Sequence, residues 1–397
     1  MKILTKIILS VLLILSWTST SFAAWYQASA SSRVINGNID QARQAAIEEA
    51  VKQTLLFSGA SITSSQQVTN GLLTQDMFMV RASGVVNEIE LLDESINQGE
   101  LSVTVRADIF ADTRQCYASD YKKAITVLPL QIRHNEHAKI GGLYQLGMVL
   151  GEQIYQQMAG RSQNVEVRDF YQNSILNTQE NKKDQVSSNQ SAAILQQIAR
   201  QTDSQLVISG ELVDLSIGNT SNQLTQWFSN QTAERFFEMR LYLHDALTGE
   251  RIQQFDYFDQ TMWEFDLKQR VDLTSRRFWY SAYGQIIKQS VAKAVSEIDG
   301  SLACVSAKAR IVDVDAHKVR FNLGRNNNVQ AGDIFTILHQ ASFVDKNGIS
   351  RPHFIVSRHQ IEVTQVYGQS AIAVSQNKEL LANIQAGDIV RPFSVMD

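Results

Sequence analysis

Ala124-Ile-Thr-Val-Leu-Pro-Leu130 is a short apolar run interrupted by a proline, and Leu143, Leu146, Leu150, Ile154 and Met158 follow it at the spacing of one helical face. A strand that feeds an amphipathic helix is the opening of a βαβ crossover. The pattern then recurs. Val165 to Phe170 reads as a second strand, Ala192 to Thr202 as a helix carrying Ile194, Leu195, Ile198 and Ala199, and Leu206-Val-Ile-Ser-Gly210 as a third strand. The polar stretch from Asn177 to Gln190 reads as a surface loop. Next, Phe237, Met239, Leu241 and Leu243 alternate with Glu238, Arg240, Tyr242 and His244, the period of a half-buried strand, and Thr248-Gly249 supplies the turn of a hairpin. A helix with Ile287, Val291, Ala294 and Ile298 on one face closes the segment. Residues 120–303 are therefore expected to form a mixed α/β domain with right-handed crossovers.

On the N-terminal side, residues 24–115 read as a helix on a small antiparallel sheet. Ala42, Ala46 and Ala50 form one stripe of a helix from Ile39 to Phe57, with Ile47, Val51 and Leu55 beside it and Glu48, Glu49, Lys52 and Gln53 elsewhere. Two alternating runs, Val85 to Leu92 and Leu101 to Phe110, flank the turn signal Asn97-Gln-Gly99. On the C-terminal side, residues 305–397 read as all-β. Asn328-Val-Gln-Ala-Gly-Asp-Ile334 and Asn383-Ile-Gln-Ala-Gly-Asp-Ile389 match at six of seven positions. Gly332 and Gly387 give the freedom a tight turn needs, Asp333 and Asp388 can bond neighbouring amides, and Ile334 and Ile389 begin strands. With short runs at Arg310–Val314, Val319–Leu323, Ile361–Val366 and Ala371–Val374, the expectation is a small barrel. The fold class is multidomain α+β.

The first residues set the compartment. Lys2 and Lys6 precede an apolar run from Ile7 to Leu15, and Ser21 and Ala23 occupy the −3 and −1 positions of a cleavage site, so residues 1–23 read as a secretory signal peptide. The run is too short to span about 30 Å of hydrocarbon, and no Cys follows it for lipid attachment. The expected location is the periplasm. A formal net charge of −4 over 397 residues argues against a nucleic-acid-binding surface, and 44% apolar residues suffice for a core in each domain. With only three prolines, long Pro-rich linkers are absent. Cys116 and Cys304 are the only cysteines, one past the first unit and one past the second. In an oxidising compartment such a pair closes a disulfide across the segment between them; two separate buried thiols are the other reading.

The motifs of chemistry are missing. No GxSxG, HExxH, CxxC or GxxxxGK[ST] occurs. His134-Asn-Glu-His137 brings two imidazoles and a carboxylate together, but a structural metal site needs about four ligands and no others converge in sequence. His353 and His359 read as solvent-facing residues flanking a strand, Asp345-Lys-Asn-Gly348 as a hairpin turn lacking most calcium-loop positions, and the Gly147–Gly151 spacing as a close packing contact. No catalytic, cofactor-binding or metal residue is assigned. The candidate interface residues are Arg276, Arg277, Phe278, Trp279 and Tyr280, with Trp227 and Phe228 in a polar loop, because aromatics and arginine are favoured at protein interfaces. Packing of both clusters on their own domain is the competing reading.

Taken together, the leader, the helix Gln41-Ala-Arg-Gln-Ala-Ala-Ile-Glu-Glu-Ala50, the opening Ile125-Thr-Val-Leu-Pro-Leu130 and the Gly-Asp barrel resemble the flagellar H-ring family, the flagellar assembly protein T (FlgT) family, over essentially the whole mature chain. The middle unit, with Leu206-Val-Ile-Ser-Gly210, also resembles the N-terminal domain of the TolB translocation protein. The first resemblance implies a periplasmic, non-catalytic component of the flagellar basal body. It would self-associate in a ring around the LP ring and support assembly of the stator-associated proteins MotX and MotY. The second implies an accessory of a translocation or secretion complex, and crosslinked partners would separate the two.

Overall fold

The computed structural model describes residues 23–34, 37–58, 86–97, 99–110, 121–172, 185–218, 233–303, 305–344, 350–376 and 379–393. The chain divides into two compact units, one ending at residue 112 and the other beginning at 113. The architecture is α+β and mostly sheet.

In the first unit, strand β1 (Ala23–Arg33) pairs antiparallel with β3 (Glu100–Phe110), which pairs antiparallel with β2 (Val86–Asn97). Helix α1 (Ile39–Ser58) covers one face. Its alanine stripe, Ala42, Ala46 and Ala50, is buried with Ile47 and Val51 against Leu101, Val103, Val105 and Ala107 of β3 and Tyr26, Ala28 and Ala30 of β1. Small side chains let the helix backbone approach the sheet closely. Asn38 caps it, its Oδ1 accepting from Gln41 N at 3.2 Å. Gly99 adopts φ +81° in the β2–β3 connection, as the turn signal requires. The sequence reading did not foresee β1.

The second unit contains two layers. In its α/β layer, β4 (Lys123–Val127) lies parallel between β6 (Val165–Phe170) and β7 (Leu206–Asp214). β7 continues antiparallel into β8 (Ala233–Asp245) and β9 (Arg251–Trp263). Pro129, which has no N–H, interrupts the first strand, and pairing to β7 resumes at β5 (Gln131–Ile132). Helix α2 (Leu146–Arg161) buries Leu146, Leu150, Ile154 and Met158, while Leu143 is equally buried but sits in the turn ahead of the helix. Gly147 and Gly151 do mark close packing: an added Cβ would lie 1.9 Å from Leu130 O and 2.9 Å from Leu128 O. Helix α3 (Gln185–Thr202) covers the opposite face through Leu195, Ile198 and Ala199. Here the expected loop from Asn177 to Gln190 needs correction, because residues 185–190 are helical; that stretch holds no Gly or Pro, so the helix extends beyond its apolar pattern. The short α4 (Arg276–Tyr280) and the long α5 (Ala282–Ser301) complete the layer, with Ile287, Val291, Ala294 and Ile298 in the core.

The all-β layer comprises β10 (Ala309–Asp315), β11 (Lys318–Phe321), β12 (Ile334–Val344), β13 (Ser350–Val366), β14 (Ala371–Ser375) and β15 (Ile389–Pro392). Pairing runs β12-β15-β10-β11-β14-β13 and returns from β13 to β12. The two copies of the repeat fold alike. Gly332 and Gly387 have φ +93° and +102°; Asp333 Oδ2 accepts from Gln330 N at 2.8 Å and Asp388 Oδ2 from Gln385 N at 3.0 Å. The copies differ in burial. Asp388 is 2% exposed and its Oδ1 also meets His339 Nδ1 at 2.6 Å, whereas Asp333 is half-exposed. Asp388→Ala should therefore cost about 2 kcal/mol and Asp333→Ala about half that, because only the first removes a buried carboxylate that holds both a backbone amide and an imidazole. Urea midpoints of the two variants compare them directly.

His353 and His359 also need correction. Both lie inside the 17-residue β13, not at its flanks, and His353 is buried, edge-on to Phe343 with ring centroids 5.5 Å apart. Tertiary pairing to β12 outweighs the polar look of the stretch.

A polar seam joins the two layers. Gln205, nearly fully buried, donates from Nε2 to Ser306 O at 2.9 Å and accepts from Lys308 N at 2.8 Å. Arg168 Nη2 donates to Asn322 O and Asn327 Oδ1 at 2.9 and 3.0 Å, and Asn327 Nδ2 donates to Lys122 O at 3.0 Å. Each of these buried groups has a partner in the opposite layer, so separating the layers would strand several at once.

Candidate functional site

Ser275 and Ser281 shape the aromatic cluster. Ser275 Oγ accepts from Phe278 N at 3.3 Å to start α4, and Ser281 Oγ accepts from Gly284 N at 3.1 Å to start α5. Gly284 is required there, since a Cβ would fall 2.2 Å from Phe278 O. The double cap makes a knuckle that sorts the five residues. Phe278 is fully buried against Phe265, Trp279 and Tyr283, which removes it from the interface list: the turn points it into the core. Trp279 is half-buried and its Nε1 donates to Leu273 O at 2.7 Å. Tyr280 is 75% exposed, with Lys288 Nζ 5.3 Å from its ring centroid, and Arg276 and Arg277 are exposed on the same short helix. The surface here is cationic and aromatic. Trp227, Phe228, Cys116 and Cys304 lie outside the described residues, as does the turn at 345–348.

Behind the knuckle stands an arginine that the sequence reading missed. Arg235, on β8, is fully buried, and its guanidinium donates to three backbone carbonyls: Leu215 O at 3.1 Å from Nε, Ile140 O at 3.0 Å from Nη1 and His137 O at 3.0 Å from Nη2. Trp263 and Tyr283 flank it with centroids 4.3 and 5.2 Å away. Among the described residues no carboxylate pairs with it, and burial lowers its pKa. Three carbonyl dipoles and two ring faces stand in for a counter-ion. The arrangement pins the 137–142 loop, where Gly141 (φ +82°) leaves room for the Trp263 ring.

The groups that could carry chemistry are otherwise engaged. His134 and His137 rings lie 5.0 Å apart, but Nδ1 of each faces its own carboxylate, Glu136 at 3.3 Å and Asp214 at 3.2 Å. No group of three or more His, Cys, Asp or Glu converges for a metal among the described residues. Ser209 Oγ lies 3.0 Å from His244 Nε2, the spacing of a nucleophile and its base. His244 Nδ1 has no orienting partner among the described residues, and burial holds the imidazole near a pKa of about 4. Such a ring is neutral but weakly basic, so it is a poor proton acceptor at neutral pH. On the same sheet face, Arg133 grips Glu211 with two nitrogens, and Tyr242 OH donates to Glu211 Oε1 at 2.6 Å. Burial and that bond push the Tyr242 phenol up to about 12.

Against known families, residues 24–111, 114–273 and 316–392 match, in order, the N-terminal, middle and C-terminal domains of flagellar assembly protein T. The chain belongs to the flagellar assembly protein T family. FlgT membership makes it a structural or assembly protein of the flagellum, associated with the basal body and motility. No curated protein matches the chain. Among solved structures, similar ones include the hypothetical protein CT253 from Chlamydia trachomatis, 14% identical over 46% of this chain and 98% of that one, TM-score 0.33. Another is the PelC dodecamer from Paraburkholderia phytofirmans, 10% identical over 48% and 94%, TM-score 0.27. A third is lipoprotein GNA1162 from Neisseria meningitidis, 8% identical over 45% and 99%, TM-score 0.25. Each likeness covers less than half of this chain. Among the described residues, no helix is long and apolar enough to cross a membrane.

Proposed function

We propose that the chain is a non-catalytic periplasmic subunit of the flagellar H ring, self-associating around the LP ring and supporting the assembly of MotX and MotY. The observation that carries this reading is the ordered run of N-terminal, middle and C-terminal FlgT matches between residues 24 and 392. The chemistry supports it: Arg235 holds backbone carbonyls and Arg133 holds Glu211, while Arg276, Arg277 and Tyr280 are left on the surface. In this reading residues 1–23 are removed on export. Residues 24–115, 120–303 and 305–397 are the three domains, the closed ring of pairing in the last is a small barrel, and a Cys116–Cys304 disulfide ties the ends of the middle one.

Deleting the chain should abolish swimming, and the protein should co-purify with basal bodies. Arg276→Glu, Arg277→Glu and Tyr280→Ala combined should lower the unfolding free energy from urea melts by no more than about 1.5 kcal/mol, about 0.5 kcal/mol for each exposed side chain. The same variant should bind basal bodies about tenfold more weakly or worse. A null strain with normal motility and intact outer rings sinks the proposal; crosslinks to translocation proteins in place of flagellar ones would favour the TolB-like accessory.

A further inference from the structure

Residues 121–124 carry the chain into β4, the first strand of the α/β layer, yet they reach the core of the all-β layer. Successive side chains of a strand point to opposite faces. Ile125 and Val127 accordingly lie in the core beneath α2 and α5, whereas Ala124 is buried with Ala309, Ile311 and Phe335 of the all-β layer. The Tyr121 ring centroid lies 5.7 Å from that of Phe335. Between these two contacts Asn327 grips Lys122 twice: its O accepts from Lys122 N at 3.1 Å, and its Nδ2 donates to Lys122 O. Asn327 is fully buried, and its Oδ1 accepts from Arg168, whose side chain is 3% exposed. One short segment thus serves both layers.

The chain that leads from α5 into the all-β layer is stitched down on both sides. Ser306 O accepts from Gln205 of the α/β layer, and Ser306 Oγ accepts from Arg391 Nε of β15 at 2.9 Å. Lys308 Nζ donates to Asp245 Oδ2 of the α/β layer at 3.4 Å and lies 5.3 Å from the ring centroid of Phe354 on β13. Farther along, Gln340 Nε2 of β12 donates to Leu247 O at 3.2 Å. A hinge needs residues free to change their dihedrals, in a stretch that few contacts cross. This junction offers neither. We infer that the middle and C-terminal family domains form one folding body, sharing residues 121–124 as core and joint, with no hinge where the layers meet. The change of architecture between them is then not a boundary of motion. A partner that holds the all-β layer also sets the orientation of Arg276, Arg277 and Tyr280 on the other. The inference stands on these contacts and does not require the flagellar reading.

Amide hydrogen exchange of the full mature chain tests it. In one cooperative body the slowest amides of both layers exchange only when the whole body opens. Ile154→Val removes a methyl group from the α2 core and leaves the all-β core untouched. It should nevertheless speed the slowest amides of β7 and those of β11 and β14 by the same factor, about two- to tenfold. Ile361→Val, in the all-β core, should speed both sets alike in return. Both changes are mild enough for the chain to fold. A shift confined to the substituted layer, or clearly larger there than in the other, means that the layers open separately and overturns the inference.

Discussion

Arg235→Lys is expected to destabilise the α/β layer by about 4 kcal/mol, nearly as much as Arg235→Ala, although it keeps the positive charge. The guanidinium works as a fork. Three of its nitrogens reach carbonyls contributed by the loop before α2 and by the residue after β7, and its flat faces lie against Trp263 and Tyr283. An ammonium is a single point on a flexible stem and can reach one of those carbonyls at most. The others would be buried without a donor, at about 1–3 kcal/mol each, and the charge would be left in a site with no carboxylate. Arg235→Ala removes the charge but opens a cavity between two aromatic rings and orphans all three carbonyls. Urea denaturation of the three proteins measures the comparison. If Arg235→Lys lies within 1 kcal/mol of wild type, the charge alone stabilises the site, and the fork-and-carbonyl account fails.

What the sequence disclosed and what it hid divide along the range of the interactions. The α2 and α5 faces were legible because their apolar periods are written within a dozen residues, and the Gly-Asp turns because the bonds they form span three positions. The strand β1 was not. Its alternation of Tyr26, Ala28 and Ala30 with Gln27 and Ser29 is weak in apolar bulk and follows directly on a leader-like segment. The first ten residues of β13 include Arg351, His353, Arg358 and His359, a composition that only pairing with β12 turns into strand. Arg235 was illegible for a different reason: its partners are backbone carbonyls 20, 95 and 98 positions away, and a carbonyl has no sequence signature. In the aromatic cluster, composition singled out five residues, but the caps at Ser275 and Ser281 decide that Phe278 turns inward and Tyr280 outward. Composition could name the cluster; only the backbone path could sort it.

Lys123 shows the same limit and carries the other large effect. The apolar run was read from Ala124, which leaves a lysine in the usual place for a solvated strand end. In the folded chain Lys123 is 0% exposed as the first residue of β4, and its Nζ makes no hydrogen bond among the described residues. Burial lowers its pKa to about 8; Asp299 opposes that shift, but its carboxylate already accepts from Gln163 N, Asn164 N and Asn164 Nδ2. The folded pKa lies below the unfolded value, so folding disfavours the charged form. Below pH 8 the lysine is charged in both states and the full penalty applies. Between pH 8 and about 10.5 the unfolded chain binds the extra proton, so stability rises with pH, and above that window the penalty is gone. A shift of this size corresponds to roughly 3 kcal/mol. Lys123→Met fills similar volume without the charge and should stabilise the protein by about that amount at pH 7. Its advantage over wild type should shrink through pH 8 to 10.5 as the native amine loses its proton. Paired urea melts across that range read both the size and the slope. A Lys123→Met protein no more stable than wild type at pH 7 would mean that the ammonium finds a compensating partner in the fold, and the burial argument would fall with it.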